Sequence, residues 1–182
     1  MNIDAVITWV NGNDPNHLEK RIRFSDELID NAYTHQEANI STRFADSNEI
    51  WYTTYLLRQN CSFINNIYLV TDEQEPYWLT TYQKKDLGIK VIDHTVIFKD
   101  YKEYLPTFNS QSIEAMLHRI PNLSENFIYL NDDMFIIRPS CQHEYFNESS
   151  YPLFRGYWIW RSKLIRSITK RFHSILKRPN GL

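Results

Sequence analysis

Apolar positions along this chain fall into short β-type runs, each broken off by a cluster of polar or acidic residues. Ile3-Asp4-Ala5-Val6-Ile7-Thr8-Trp9-Val10 is rich in β-branched residues and stops at Asn11-Gly12-Asn13-Asp14-Pro15, a dense turn signal. It predicts a buried first strand that delivers a polar loop. Residues 16–33 predict a helix, and a second is expected to open at Ser47, with Glu49 as capping acid, and to run through Leu57. Asn66-Ile67-Tyr68-Leu69-Val70-Thr71 predicts another strand, ending at Asp72. A short helix around Tyr77–Lys85 and a strand Ile89–Ile92, closed by Asp93-His94, follow. Ser110 is expected to cap a helix through Ile120, with Ile113, Met116, Leu117 and Ile120 on one face and Pro121 ending it. A last strand, Phe127-Ile128-Tyr129-Leu130, runs straight into Asn131-Asp132-Asp133.

Strands alternating with helices predict an α/β fold, a mostly parallel sheet with flanking helices. Sheets of that kind bind ligands outside the carboxyl ends of their strands. Four predicted strands here end in acids or amides: Asn11 and Asp14, Asp72, Asp93, and Asn131 to Asp133. A site is expected where those ends converge.

Composition narrows the classes. With 182 residues, 42% hydrophobic and only 4 Gly, the chain reads as globular rather than disordered or repetitive. Two cysteines, Cys61 and Cys141, are too few for a disulfide framework or a Cys-based zinc site. The N-terminal run has neither a basic flank nor a small-residue cleavage motif, and no stretch is long enough to span a bilayer, so a cytoplasmic location is expected. The net charge of −2 hides an asymmetry: residues 1–154 hold 12 Lys/Arg against 22 Asp/Glu, while residues 155–182 hold 8 Lys/Arg and no acid. The expected organisation is therefore an acidic body over 1–154 and a basic tail over 155–182. Within the tail, 157–178 predicts an amphipathic helix whose apolar residues span an arc of about 120°. Such a helix suits an anionic membrane surface at the inner face of the cell membrane, and packing of its apolar stripe on the domain is the other reading. The acidic body opposes nucleic acid as a partner.

Candidate chemistry concentrates at the strand ends. Carboxylates such as Asp132 and Asp133 suit a hard divalent cation against a diphosphate, although a helix cap or solvated turn would use the same residues. Neighbouring side chains on a strand diverge, so both reach one ion only if the chain turns there. The loop from Trp9 to Asp14 offers an aromatic plane, amides and a carboxylate for a base, ribose or phosphate; an ordinary core Trp before an Asn-Gly turn fits equally. Glu114 is a metal ligand or general base on one reading and a helix-dipole acid on the other. His94 and His118 are candidate proton carriers. No phosphate-binding Gly loop and no Ser/His/Asp arrangement is evident.

Together these residues resemble the Stealth family of capsular polysaccharide phosphotransferases, to which the catalytic part of the animal N-acetylglucosamine-1-phosphotransferase also belongs. The resemblance is carried by IDAVITWVNGNDP at 3–15, by RFADSNEI from Arg43 and by NIYLVTDEQEPYWL from Asn66. It continues in Val91-Ile92-Asp93-His94 and ends in LPTFNSQSIEAMLHRIPNLSENFIYLNDDMF at 105–135. It implies a GT-A-like or Rossmann-like nucleotide-sugar domain in which an acceptor hydroxyl attacks phosphorus, moving a hexose-1-phosphate from a nucleotide-sugar, a UDP-hexose, to a carbohydrate or polysaccharide. It implies Mg²⁺ or Mn²⁺ held by Asp132 and Asp133, and Glu114 as catalytic acid/base or second acidic ligand. Trp9, Asn11, Asp14, Arg43 and Asn109 would bind the donor, Arg43 by pairing with phosphate. The resemblance ends near residue 138, and the family's two further blocks have no recognisable counterpart after Pro139. Two alternatives remain: a catalytically incomplete remnant that binds nucleotide-sugar or a partner, or an ordinary glycosyltransferase of the same fold.

Overall fold

Four strands hydrogen-bond side by side in the order β3-β2-β1-β4, all parallel: β1 is Ile3–Thr8, β2 Ile64–Thr71, β3 Ile89–Asp93 and β4 Asn126–Asn131. The computed structural model describes residues 1–28 and 47–156, with side chains described up to residue 24 in the first stretch. Arg43 and the segment 157–178 lie outside the described residues. The chain divides into two compact units, Met1–Tyr151 and Pro152–Leu182, and the whole sheet belongs to the first.

Parallel neighbours need crossover connections, and helices supply them. The helices are α1 (Pro15–Leu28), α2 (Glu49–Asn60), α3 (Thr81–Asp86), α4 (His94–Ile97) and α5 (Ser110–Met116). Alternation along the strands sorts side chains to two faces. Ile3, Ala5, Ile7 and Trp9 join Ile67, Leu69, Ile89 and Leu130 on one face and pack with Ile50, Leu57 and Cys61. Val6, Tyr68 and Val70 face the other way, against Ile97, Phe98, Leu117 and Ile120, with Ile113 and Met116 alongside. The predicted apolar face of the fifth helix is thus the one that packs. The α/β architecture with a parallel sheet is the one the sequence predicts.

Local details differ. Ser47 does not cap α2: the N-cap is Asn48, in the left-handed region at φ 64°, and Glu49 Oε2 instead accepts the Ser47 backbone N–H at 2.7 Å. Nor does Ser110 cap α5. Asn109 does, its Oδ1 accepting from the Gln111 N–H at 3.0 Å, and the helix tightens into a 3₁₀ turn at Leu117–Arg119 before Ile120. The third helix begins at Thr81 rather than near Tyr77, because Thr80 and Gln83 form a reciprocal capping box.

Asp4, which interrupts the first apolar run, is fully buried. Its Oδ1 accepts from the Asn66 backbone and side chain at 3.0 and 2.9 Å, and Oδ2 accepts from the Ser124 N–H at 2.8 Å. One carboxylate therefore ties β1 to β2 and to the approach to β4. Burial pushes its pKa up, and the hydrogen bonds from Ser124 and Asn66 more than offset this, leaving it below the usual value. These contacts lie at the amino ends of the strands.

At the opposite ends, register aligns Thr8 with Val70 and with Asn131, and Thr71 with Asp93. Trp9, Asp72, His94 and the Asp132-Asp133 pair thereby fall along one rim. The chain goes from β1 to β2 on one side and returns with β4 on the other, so the strand order reverses between β1 and β4. That reversal is where open α/β sheets form their ligand crevice.

Candidate functional site

A cavity of about 390 Å³ opens at this reversal point, lined by Thr8, Trp9 and Val10 from β1 and Asn131, Asp132 and Asp133 from β4. His17, His94, Thr107, Phe108, Ser110 and Ile113 complete its wall. Its size falls in the range of small-molecule sites.

Strand β4 ends at Asn131, and the chain turns immediately: the Met134 N–H donates to Asn131 O at 3.2 Å. Because of this turn, both carboxylates reach the same cavity instead of diverging. Asp132 is half-buried and Asp133 exposed. The Thr53 hydroxyl of α2 donates to the Asp132 carbonyl and fixes the turn from below. Tyr129 steadies the neighbouring polar groups. Its hydroxyl lies 2.8 Å from Asn131 Oδ1, 3.1 Å from Thr8 Oγ1 and 3.3 Å from Glu114 Oε1. Its single proton serves the shorter contact best while Thr8 donates to it. Burial raises the Tyr129 pKa, the hydrogen bond from Thr8 opposes that, and the Glu114 charge adds to it.

Asp132 and Asp133 bring two carboxylates to the lining of this cavity. Among the described residues no group of three or more His, Cys, Asp or Glu side chains is placed to hold a metal. This donor set fits the way Mg²⁺ is bound beside phosphates, by one or two carboxylates with the remaining positions left to substrate oxygens and water.

A second cavity, of about 420 Å³, adjoins the first through Trp9 and is lined by Asn11, Asn13, Asp14, Asn48 and Glu73 to Tyr77. The Asn11 N–H donates to Gln74 Oε1 at 2.7 Å, which clips the loop after β1 to the loop after β2. Asp14 Oδ1 accepts the backbone N–H groups of Asn16 and His17 at 3.0 and 2.9 Å, so this oxygen caps α1.

The structure therefore places the predicted site residues in three groups. Trp9, Asp132 and Asp133 share the first cavity, while Trp9, Asn11 and Asp14 share the second. Glu114 and Asn109 line neither: Glu114 is exposed on α5 and reaches the wall through Tyr129, and Asn109 is spent on its cap. Trp9 itself is 5% exposed and belongs to the core, and its indole Nε1 is buried with no hydrogen-bond partner among the described residues. Of the two histidines singled out as proton carriers, His94 is buried at the cavity and His118 is exposed away from it. Burial lowers the His94 pKa against the pull of Asp72 and Asp93.

Sequence reasoning missed His17. It is 4% exposed, its Nδ1 lies 3.0 Å from Asp72 Oδ2, and Lys20 Nζ holds the other Asp72 oxygen at 3.1 Å. The available signal was its position three residues after the capping Asp14, which turns it back toward the strand ends.

Residues 1–29 match Stealth protein CR1, conserved region 1, and residues 43–154 match Stealth protein CR2, conserved region 2. The chain is 45% identical over 150 residues to the capsular polysaccharide phosphotransferase cps1A of Actinobacillus pleuropneumoniae, covering 82% of this chain and 39% of that protein. Over 146 residues it is 41% identical to the capsular polysaccharide phosphotransferase LcbA of Neisseria meningitidis, covering 80% and 38%. It is also 41% identical over 145 residues to the exopolysaccharide phosphotransferase SCO6021 of Streptomyces coelicolor, covering 79% and 25%. The chain thus spans about two-fifths or less of the length of these relatives. Its strand-end aspartates and its polar loop after β1 fall within the matched regions, and the chain belongs to the Stealth family.

Proposed function

We propose that this chain carries the donor site of a polysaccharide phosphotransferase, which moves a hexose-1-phosphate from a nucleotide-sugar to a carbohydrate hydroxyl. The observation that carries the reading is the pair Asp132 and Asp133, turned together into a cavity that opens at the reversal of strand order. The names of the relatives, capsular and exopolysaccharide phosphotransferases, support the reaction class.

Asp132 and Asp133 would hold Mg²⁺ or Mn²⁺, which when bound neutralises diphosphate charge. The protein's own part is positioning. Trp9 stands where the two cavities adjoin, Asn11 and Asp14 border the neighbouring cavity where the nucleoside would lie, and Thr8 and Asn131 line the first. Glu114 would act through Tyr129, adjusting the hydrogen bonds of Asn131.

The identity of the released nucleotide tests this directly. Attack at phosphorus releases the nucleoside monophosphate, whereas ordinary glycosyl transfer releases the diphosphate. With UDP-glucose or UDP-N-acetylglucosamine, Mg²⁺ and methyl α-glucopyranoside, chromatography should detect UMP. Asp133→Ala should slow its release by about 100-fold or more, as loss of one electrostatic contact to reacting phosphate does. UDP as the product, or full activity in the variant, would remove this reading. Donor binding without any turnover would favour the remnant alternative.

A further inference from the structure

Phosphotransfer to a hydroxyl releases a proton, and with Asp132, Asp133 and Glu114 given other roles, the histidines of the cavity wall, His17 and His94, are left to receive it. The wall of the first cavity holds a candidate that neither the family resemblance nor the metal-site reading uses. Asp72, at the end of β2, is 13% exposed and accepts from His17 and Lys20 with its two oxygens. The hydrogen bond from His17 draws its pKa down to about 2, with Lys20 assisting against burial. At any ordinary pH it is a carboxylate with no proton to give, so the 3.0 Å contact requires the hydrogen on His17 Nδ1. That makes Nδ1 the donor toward Asp72, and in the neutral form of the ring the lone pair then sits on Nε2. Nε2 is buried and has no partner among the described residues. A buried ring nitrogen without a hydrogen bond is a cost that folding alone does not explain.

The ring is held from three sides. The Asp14 cap fixes the first turn of α1 through the His17 N–H, Asp72 fixes Nδ1, and Phe108 packs edge-on at 5.3 Å. Phe108 also lines the cavity and packs against Phe24 at 5.6 Å, so its ring stands beside His17 at the cavity wall. The charged and titratable groups facing His17 are Asp72 on β2, Lys20 on its own helix, His94 on α4, and Asp132 and Asp133 across the cavity.

We infer that His17 is the general base of the reaction, oriented by Asp72, and reached by the acceptor hydroxyl when the Phe108 ring turns aside. The inference rests on the phosphotransfer reading. As the acceptor oxygen forms its bond to the donor's sugar-bearing phosphorus, its proton passes to His17 Nε2. The phosphorus–oxygen bond to the nucleoside monophosphate breaks, and that group leaves with the electron pair. The imidazolium formed lies against the Asp72 carboxylate and later returns its proton to solvent. Water in place of the sugar gives the same balance, yielding hexose-1-phosphate and the monophosphate.

His17→Asn tests the assignment in the full chain, because its amide N–H takes the place of Nδ1 toward Asp72 and nothing replaces Nε2. With UDP-N-acetylglucosamine, Mg²⁺ and methyl α-glucopyranoside, kcat for UMP release should fall about 10²- to 10⁴-fold, the usual contribution of a positioned base. The donor Kd by calorimetry should stay within about twofold, and the acid limb of the wild-type pH–rate profile should disappear. A kcat within about threefold of wild type, or an unchanged acid limb, overturns the assignment. A second measurement does not depend on turnover or on the variant folding: ¹⁵N spectra of histidine-labelled wild-type chain saturated with donor. Adding methyl α-glucopyranoside should move the His17 Nε2 resonance as a hydroxyl donates to it, and a resonance that does not move overturns the inference. If the wild-type chain releases no UMP yet this resonance responds, the transfer reading fails and the His17 contact stands.

Discussion

At the scale of single residues, the site depends on one carboxylate that the sequence marks only as a strand end. Asp72 was visible after Val70-Thr71, but its partner His17 was not, because its position three residues after a capping Asp does not say which strand end the ring will meet. The pair forms only when the first turn of α1 and the end of β2 meet in space. Its effect on stability is open to measurement. The folded-state pKa of about 2 lies below the ordinary 3.8, so Asp72 stabilises the fold when ionised, by about 2 kcal/mol. A depressed pKa means that the contribution is complete above about pH 4, declines as pH falls toward 2 and is absent below that. Chemical denaturation of wild type and Asp72→Asn should show a gap of about 2 kcal/mol at pH 6, closing as pH falls from about 4 to 2. A gap independent of pH would place the effect in packing instead of charge.

Among elements, the strands were legible and the terminal details were not. Strands here are nearly continuous apolar runs, as sheets covered on both faces require, and each carried its own stop signal. Helix starts were misplaced at Ser47 and Ser110 because Ser, Asn and Thr compete for the same capping geometry, and the winner depends on the preceding loop. Contacts between elements were beyond reach of sequence, and one of them matters for the site. Helix α2 holds the segment after β4 at three points: the Thr53 hydroxyl on Asp132 O, the Asn60 side-chain amide on Ile136 O at 2.6 Å, and Asn60 O accepting from the Ser140 N–H at 2.8 Å. Thr53 is buried and its hydroxyl is the contact nearest the carboxylate pair. Thr53→Val keeps shape and removes the donor, leaving a half-buried carbonyl without its partner, at a cost of about 1 kcal/mol. Because supporting contacts orient ligating groups, calorimetry should show Mg²⁺-dependent donor binding weakened about 10-fold. Unchanged affinity would mean that the turn after Asn131 holds both aspartates without α2.

For the molecule as a whole, the two ends of the sheet divide the work. Asp4 crosslinks three segments at the amino ends, away from the first and second cavities, whose polar groups are gathered at the carboxyl ends. Both cavities lie within the described residues although the chain spans about two-fifths or less of its relatives' length. If those cavities together form the donor site, the chain should bind nucleotide-sugar by itself, and binding to the folded state alone must raise stability. Ligand at 100 times its Kd adds about 2.7 kcal/mol, which for a protein near this size raises Tm by roughly 5 to 10 °C. A thermal-shift series should show that rise for UDP-N-acetylglucosamine with Mg²⁺ and much less for either alone, since the carboxylate pair and the diphosphate repel each other without the cation. Asp133→Ala should remove the cation-dependent part and leave a smaller, cation-independent shift from the second cavity. A full shift without any divalent ion would break the link between the two aspartates and the diphosphate on which the reaction assignment depends.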